Sequence, residues 1–317
     1  MPVPTWMLAP LYLGGVALIL FSANRLVILC LVITRRWGVT SMVLGSTLLA
    51  MATSLPEFSV VLIAVLAGEH DLAIGNILGS NILNIGLVLG ISTTITPIEV
   101  SRTARRRELP LALGILALFF LIALNRHVGR LEGMLMLAAM GGYLYLHLRT
   151  AAGDIRAFQS GKPTAETTPA VGSTLLQVLV AMAALFGGGV LVVLAASGIA
   201  EALGISRLTL GVVLVALSTS IPELAASVSS AYHKEPEISL ANVIGSNNFN
   251  ILVCVGFVAI LKPITVNPTA LRVEFPVALA FYLLLMWFFR SHATLSRREG
   301  MVLLTCYGLF VAWLVLG

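Results

Sequence analysis

Charge is what this chain has least of: Asp, Glu, Lys and Arg make up 10% of its 317 residues, where a soluble domain carries roughly 25%. A surface so poor in charge excludes a soluble enzyme or a nucleic-acid-binding domain. Cysteine is also scarce. Cys30, Cys254 and Cys306 all lie inside apolar runs with no CxxC or Cys/His spacing. Neither a disulfide framework nor a zinc site is expected, and the thiols read as buried and inert. The N-terminus lacks the basic n-region of a signal peptide, and its apolar stretch is too long for an h-region, so it is expected to remain as a first span. A net charge of +5 is no sign of a nucleic-acid partner, because the basic residues fall between apolar runs, where they would orient a membrane protein.

What is abundant is apolar sequence: 58% of residues are hydrophobic and the mean hydropathy is +1.00. The expected fold class is an all-α integral membrane protein in a prokaryotic inner membrane or plasma membrane. Runs bounded by charge or Pro/Gly predict ten transmembrane helices near 7–33, 38–67, 72–95, 109–124, 130–148, 173–198, 205–232, 239–261, 273–290 and 300–316. With the N-terminus outside, inner loops hold 13 of the 19 Lys and Arg, outer loops hold five, and Arg25 lies within a span. The positive-inside rule therefore places both termini outside. Arg25 is expected to snorkel toward the cytoplasmic interface.

A self-comparison at an offset of 166 residues aligns Ala52-Thr53-Ser54-Leu55-Pro56-Glu57 with Ser218-Thr219-Ser220-Ile221-Pro222-Glu223. At the same offset Asn76-Ile77-Leu78-Gly79-Ser80-Asn81 meets Asn242-Val243-Ile244-Gly245-Ser246-Asn247, and Asn84 meets Asn250. Five spans per copy is an odd number, so the second copy must enter the membrane upside down, as two inverted five-helix repeats. The boundaries are 1–148 for the first repeat, 149–172 for a polar cytoplasmic linker and 173–317 for the second. The linker has no room for a folded regulatory domain.

Glu57 and Glu223 stand mid-span, where an ionised side chain costs at least about 2.5–3.5 kcal/mol. No Lys or Arg recurs at equivalent mid-span positions in both copies to neutralise them. A cation site is the expected reason. Pro56 and Pro222 have no N–H for the carbonyls of Ala52 and Ser218, and Thr53 with Glu57, like Thr219 with Glu223, are four residues apart on one helix face. Ser80 with Asn84, and Ser246 with Asn250, repeat that spacing on a second element. Asn81, Asn247 and Asn248 fit either a cation role or the repair of backbone freed by a helix break. An all-oxygen set suits hard cations, calcium particularly, with sodium as competitor.

The paired strings Gly45 to Glu57 with Gly75 to Asn84, and Gly211 to Glu223 with Ala241 to Asn250, resemble the two alpha-repeats of the cation/calcium exchanger superfamily, especially its compact prokaryotic sodium/calcium exchanger-like members. The resemblance implies Glu57 and Glu223 as central calcium ligands, helped by backbone oxygens around Thr53 and Thr219. It implies flanking sodium sites formed with Ser54, Ser220, Ser80 and Ser246, and alternating access by movement of spans one and six. Sodium/calcium members resemble this chain at Asn84 but carry aspartate where Asn250 stands, and some proton-coupled relatives have asparagine at both. The expected activity is calcium/sodium antiport, with proton/calcium exchange as the alternative and a cation channel behind it. No prosthetic group, no nucleic acid and no obligatory protein partner are expected. The partners are calcium, monovalent cations (sodium, or protons on the alternative) and the lipid bilayer.

Overall fold

The computed structural model describes residues 5–160, 171–202, 215–291 and 293–316. Its long elements are α1 (Thr5–Trp37), α2 (Ser41–Thr53), α3 (Leu55–Ala67), α4 (His70–Ile95), α5 (Leu109–Ala123), α6 (Arg130–Ser160), α7 (Val171–Ala202), α8 (Ile221–Tyr232), α9 (Pro236–Leu261), α10 (Glu274–Ser291) and α11 (Arg297–Leu316). Among the described residues, six helices are long and apolar enough to cross a membrane, or seven with α2 and α3 taken as one bent span. The expected start of span seven, 205–214, and the linker residues 161–170 lie outside the described residues. Helix α6 does not stop at the expected 148 but runs on to Ser160, into the stretch read as linker.

α2 and α3 meet at 45°. The break falls at Ser54 (φ −86°, ψ 7°), and the same conformation recurs at Ser220 (φ −88°, ψ 5°), where residues 215–219 pass into α8. In both places proline follows two residues later, and a ring that lacks an N–H and crowds the preceding turn accounts for the interruption. A second matched irregularity is a π-helical turn inside α4 (Asn84–Leu89) and inside α9 (Asn250–Val255). Each is an over-wide turn of the kind that concentrates at functional sites.

The ends of the helices sort into two groups. Strands β1 (Ile98–Glu99) and β4 (Thr294–Leu295) pair antiparallel, Arg297 donates to the Ile95 carbonyl, and Thr96 donates to the Ala231 carbonyl. The arginine-rich stretch 102–107 belongs to this face, together with Thr150, which accepts from Arg107. On the other face β2 (His127–Val128) pairs with β3 (Ile264–Thr265), His70 bonds Thr265, and Asn267 donates to Asp71. The two straps correspond under the repeat to within one residue: Ile98 moves to Ile264 at the 166-residue offset, and their partners Leu295 and Val128 are 167 apart.

Helices α4 and α9 are innermost: 78% and 83% of their most apolar windows are buried, against 28%, 39% and 33% for the long helices Arg130–Gly153, Gly172–Ala195 and Pro268–Arg290. That position gives their polar side chains no access to water and requires them to find partners in one another. Along the flank α1 and α7 cross at Gly15 and Gly188, where a Cβ on either would lie 2.9–3.0 Å from the other's carbonyl oxygen. Arg25 is exposed and donates to the Gln177 side chain on α7. Cys30 and Cys254 are buried as expected, while Cys306 is half-buried, because α11 lies at the periphery with much of its surface exposed.

Candidate cation site

The two helix breaks face each other across the molecule's centre. Thr53, Ser54 and Glu57 come from the first break, Thr219, Ser220 and Glu223 from the second, and all are 0–1% exposed. Each glutamate is held by the serine of the opposite break: Ser54 Oγ donates to Glu223 Oε1 at 3.1 Å, and Ser220 Oγ donates to Glu57 Oε1 at 3.1 Å. Like charges held in a buried site repel unless a cation lies between them.

The threonines and the asparagine helices repeat this exchange. Thr53 Oγ1 donates to Asn242 Oδ1 at 3.3 Å and lies 3.2 Å from Ser246 Oγ. Thr219 Oγ1 donates to Asn76 Oδ1 at 3.5 Å, and Ser220 Oγ lies 3.4 Å from Ser80 Oγ. Between α4 and α9, Asn81 and Asn247 each donate to the other's backbone carbonyl, at 3.4 and 3.2 Å. Asn84 Nδ2 donates to Asn247 Oδ1 at 3.0 Å, and Asn250 Nδ2 to Asn81 Oδ1 at 3.2 Å. The ten residues singled out in the sequence are all buried, and each makes one of these contacts from one repeat to the other.

Some polar atoms in the cluster have no hydrogen-bond partner. Glu57 Oε2 and Glu223 Oε2 are buried without a donor, as is Asn84 Oδ1. Asn76 Nδ2 and Asn242 Nδ2 are unpaired in matching fashion. An unmet buried carboxylate oxygen costs several kcal/mol, and the described residues hold no Lys or Arg ion-paired to either glutamate. Nor do they hold a group of three His, Cys, Asp or Glu side chains placed to bind a metal ion, so a cation here would rely on hydroxyl, amide and carbonyl oxygens beside the two carboxyls. Donor chemistry and vacant lone pairs both fit a hard cation.

Comparison with known proteins agrees with this chemistry. The family model for sodium/calcium exchanger proteins matches residues 7–149 and again 173–316. The chain belongs to that family. The exchanger is 32% identical to the inner membrane protein YrbG of Escherichia coli over 96% of this chain and 95% of that one. It is 29% identical to the sodium/calcium exchanger MaX1 of Methanosarcina acetivorans, covering 88% and 90% of the two chains. Among solved structures it resembles the sodium-calcium exchanger NCX_Mj soaked with Na+ and Sr2+, with a TM-score of 0.82, 28% identity and coverage of 98% and 99%. The exchanger is therefore an integral membrane transporter of cations and not an enzyme.

Sequence reasoning missed three participants. Asn76 and Asn242 open the repeated strings and sit one turn before Ser80 and Ser246, so the i, i+4 rule already put them on the same face. Tyr282, whose hydroxyl accepts from Asn247 Nδ2 at 3.0 Å, had no such signal, because its position in the first repeat is Leu116. The asparagines are also less alike than their positions suggest. Asn250 Oδ1 accepts from Cys254 Sγ at 3.8 Å, whereas Asn84 Oδ1 stays open.

Proposed function

We propose that this exchanger is a secondary active antiporter that moves Ca2+ against Na+ by alternating access, with Glu57 and Glu223 as the central ligands. The observation that carries the reading is the reciprocal cage, in which each glutamate keeps one oxygen tied to the opposite repeat and one oxygen free. Six to eight oxygens at about 2.3–2.6 Å satisfy Ca2+. The free carboxylate oxygens, the carbonyls loosened at Pro56 and Pro222, and the hydroxyls of Thr53 and Thr219 supply such a set. Ser54, Ser220, Ser80 and Ser246 flank it as sodium ligands, with Asn84 and Asn250 closing the floor.

Charge balance then gives the coupling. One divalent ion or several monovalent ions neutralise the two carboxylates, and occupancy by one excludes the other, which couples the two fluxes. We read the ten spans as two inverted five-helix repeats, with the termini outside and the arginine-rich face cytoplasmic. The reciprocal bonds, the paired straps and the two-part family match support that reading. The tight crossing of α1 and α7 fits their sliding as one unit against the rest.

In proteoliposomes loaded with sodium at equal pH on both sides, external calcium should accumulate, and a sodium ionophore should stop it. Uptake that follows a pH gradient in sodium-free buffer would instead make protons the counter-ion. Calcium flux that persists with no counter-ion gradient would make the protein a channel.

A further inference from the structure

Away from the central site, a cavity of about 430 Å³ opens between the start of α5 and the end of α10, lined by Arg105, Arg106, Leu109, Met286, Phe289 and Arg290. Three guanidiniums share this wall. Arg107 next to them is paired with Glu108 at 3.6 Å, but among the described residues no carboxylate lies within ion-pair distance of Arg105, Arg106 or Arg290. Holding three like charges around one cavity is unfavourable without an anion to share. The floor is apolar: Leu109 and Phe289 are each 1% exposed, with Met286 half-buried.

The two helices beside the cavity carry exposed apolar side chains. On α10, Leu279, Leu283 and Trp287 are 40%, 50% and 64% exposed, and Leu111 on α5 is 37% exposed. These are faces that hydrocarbon would cover. An exposed Trp one residue from the cavity wall marks the headgroup level of a bilayer, where its amphipathic ring settles. The cavity therefore offers planar phosphate-binding donors at headgroup depth and a greasy surface directly beneath.

We propose that this cavity is a binding site for an anionic glycerophospholipid of the surrounding bilayer, with the phosphodiester between Arg105, Arg106 and Arg290 and an acyl chain along Met286 and the exposed Leu283 and Trp287. The central site contributes nothing to it, and the site stands whichever counter-ion is transported. A bound lipid would tie the start of α5 to the end of α10 on the arginine-rich face.

The test is native mass spectrometry of the purified full-length protein titrated with phosphatidylglycerol or phosphatidylcholine of matched chains. Phosphatidylglycerol should be retained preferentially, and each of Arg105→Gln, Arg106→Gln and Arg290→Gln should weaken its binding about fivefold. Arg102→Gln and Arg298→Gln, on the same face but outside the cavity, should leave it unchanged, and the melting temperature of each variant reports that it is folded. Arg→Lys at the three positions should give intermediate binding, because the charge stays and the bidentate geometry goes. Equal retention of the two lipids would overturn the proposal, as would equal losses in the Arg102 and Arg298 variants. Full displacement of the lipid by millimolar inorganic phosphate would reassign the cavity to free anions and overturn it too.

Discussion

At the scale of single residues, the proposed cation chemistry rests on two carboxyl groups that, among the described residues, have no Lys or Arg ion-paired to them. Glu57→Gln and Glu223→Gln keep the volume and the serine contact but remove the charge that offsets a desolvated divalent ion. By the cost of breaking a buried charge pair, each should lower calcium uptake in proteoliposomes about 100-fold or more, with the helical circular dichroism unchanged. Normal uptake by both variants would place the ion elsewhere. Ser54→Ala and Ser220→Ala remove one donor each, so they should be milder, about tenfold in apparent calcium affinity, and equal to one another. Glu57, Glu223 and their hydroxyl neighbours were legible in the sequence because a charge at membrane depth is conspicuous and its repetition more so. Tyr282 was not, because a tyrosine in an apolar helix looks like packing until its hydroxyl is seen on Asn247. The cluster of Glu108, His147 and Tyr143 escaped for a related reason. Glu108 lies 35 and 39 positions from Tyr143 and His147, and only the packing of α6 beside the start of α5 brings His147 to 3.3 Å from Glu108.

At the scale of elements, a Cβ on Gly245 would lie 2.5 Å from the Ser46 carbonyl oxygen and 2.7 Å from Ala50 Cβ. Gly245→Ala should therefore lower stability in detergent by about 1–3 kcal/mol, as read from thermal melting. An unchanged melting temperature would mean that the crossing of α2 and α9 opens without loss. The turn after the broken helices gives a contrast between the repeats. Gly68 at φ 88° and Lys234 at φ 60° occupy the same place in the two copies and close it with the same backbone bonds, Glu69 to Ala64 and Glu235 to Ser230. A left-handed residue with a Cβ costs about 1 kcal/mol, so Lys234→Gly should raise the melting temperature by a few degrees. The helix breaks were readable from proline, whose chemistry is local. The π turns at Asn84–Leu89 and Asn250–Val255 were not, because an i→i+5 ladder reflects how neighbouring helices press on the backbone and has no side-chain signature of its own.

For the whole molecule, the sorting of loops into two faces makes the orientation measurable. In a cysteine-free background, Cys placed at Thr103 on the arginine-rich face should be protected from an impermeant thiol reagent in intact cells, and Cys at Glu69 on the opposite face should be labelled. The reverse pattern would invert the orientation and exchange the two ion pathways. Loop charge and the odd number of spans per copy carried this reading from sequence, since both follow from the cost of moving charge through hydrocarbon. The tight Gly15 to Gly188 crossing could not be foreseen, because glycine in an apolar run also occurs where nothing approaches, as at Gly14 and Gly187.

The serine of each break answers the glutamate of the other, and this has a consequence for inheritance and assembly. On the proposed reading neither half possesses a finished coordination sphere, and the cage belongs to the seam between them. The smallest functional unit is then a joined pair, and a half-length chain would have to dimerise in the membrane to hold an ion. Cutting the gene between the two regions matched to the family, 7–149 and 173–316, should yield fragments that are each inert. Co-expressed, they should copurify and recover calcium uptake, and a fragment that exchanges calcium by itself would show that one half suffices.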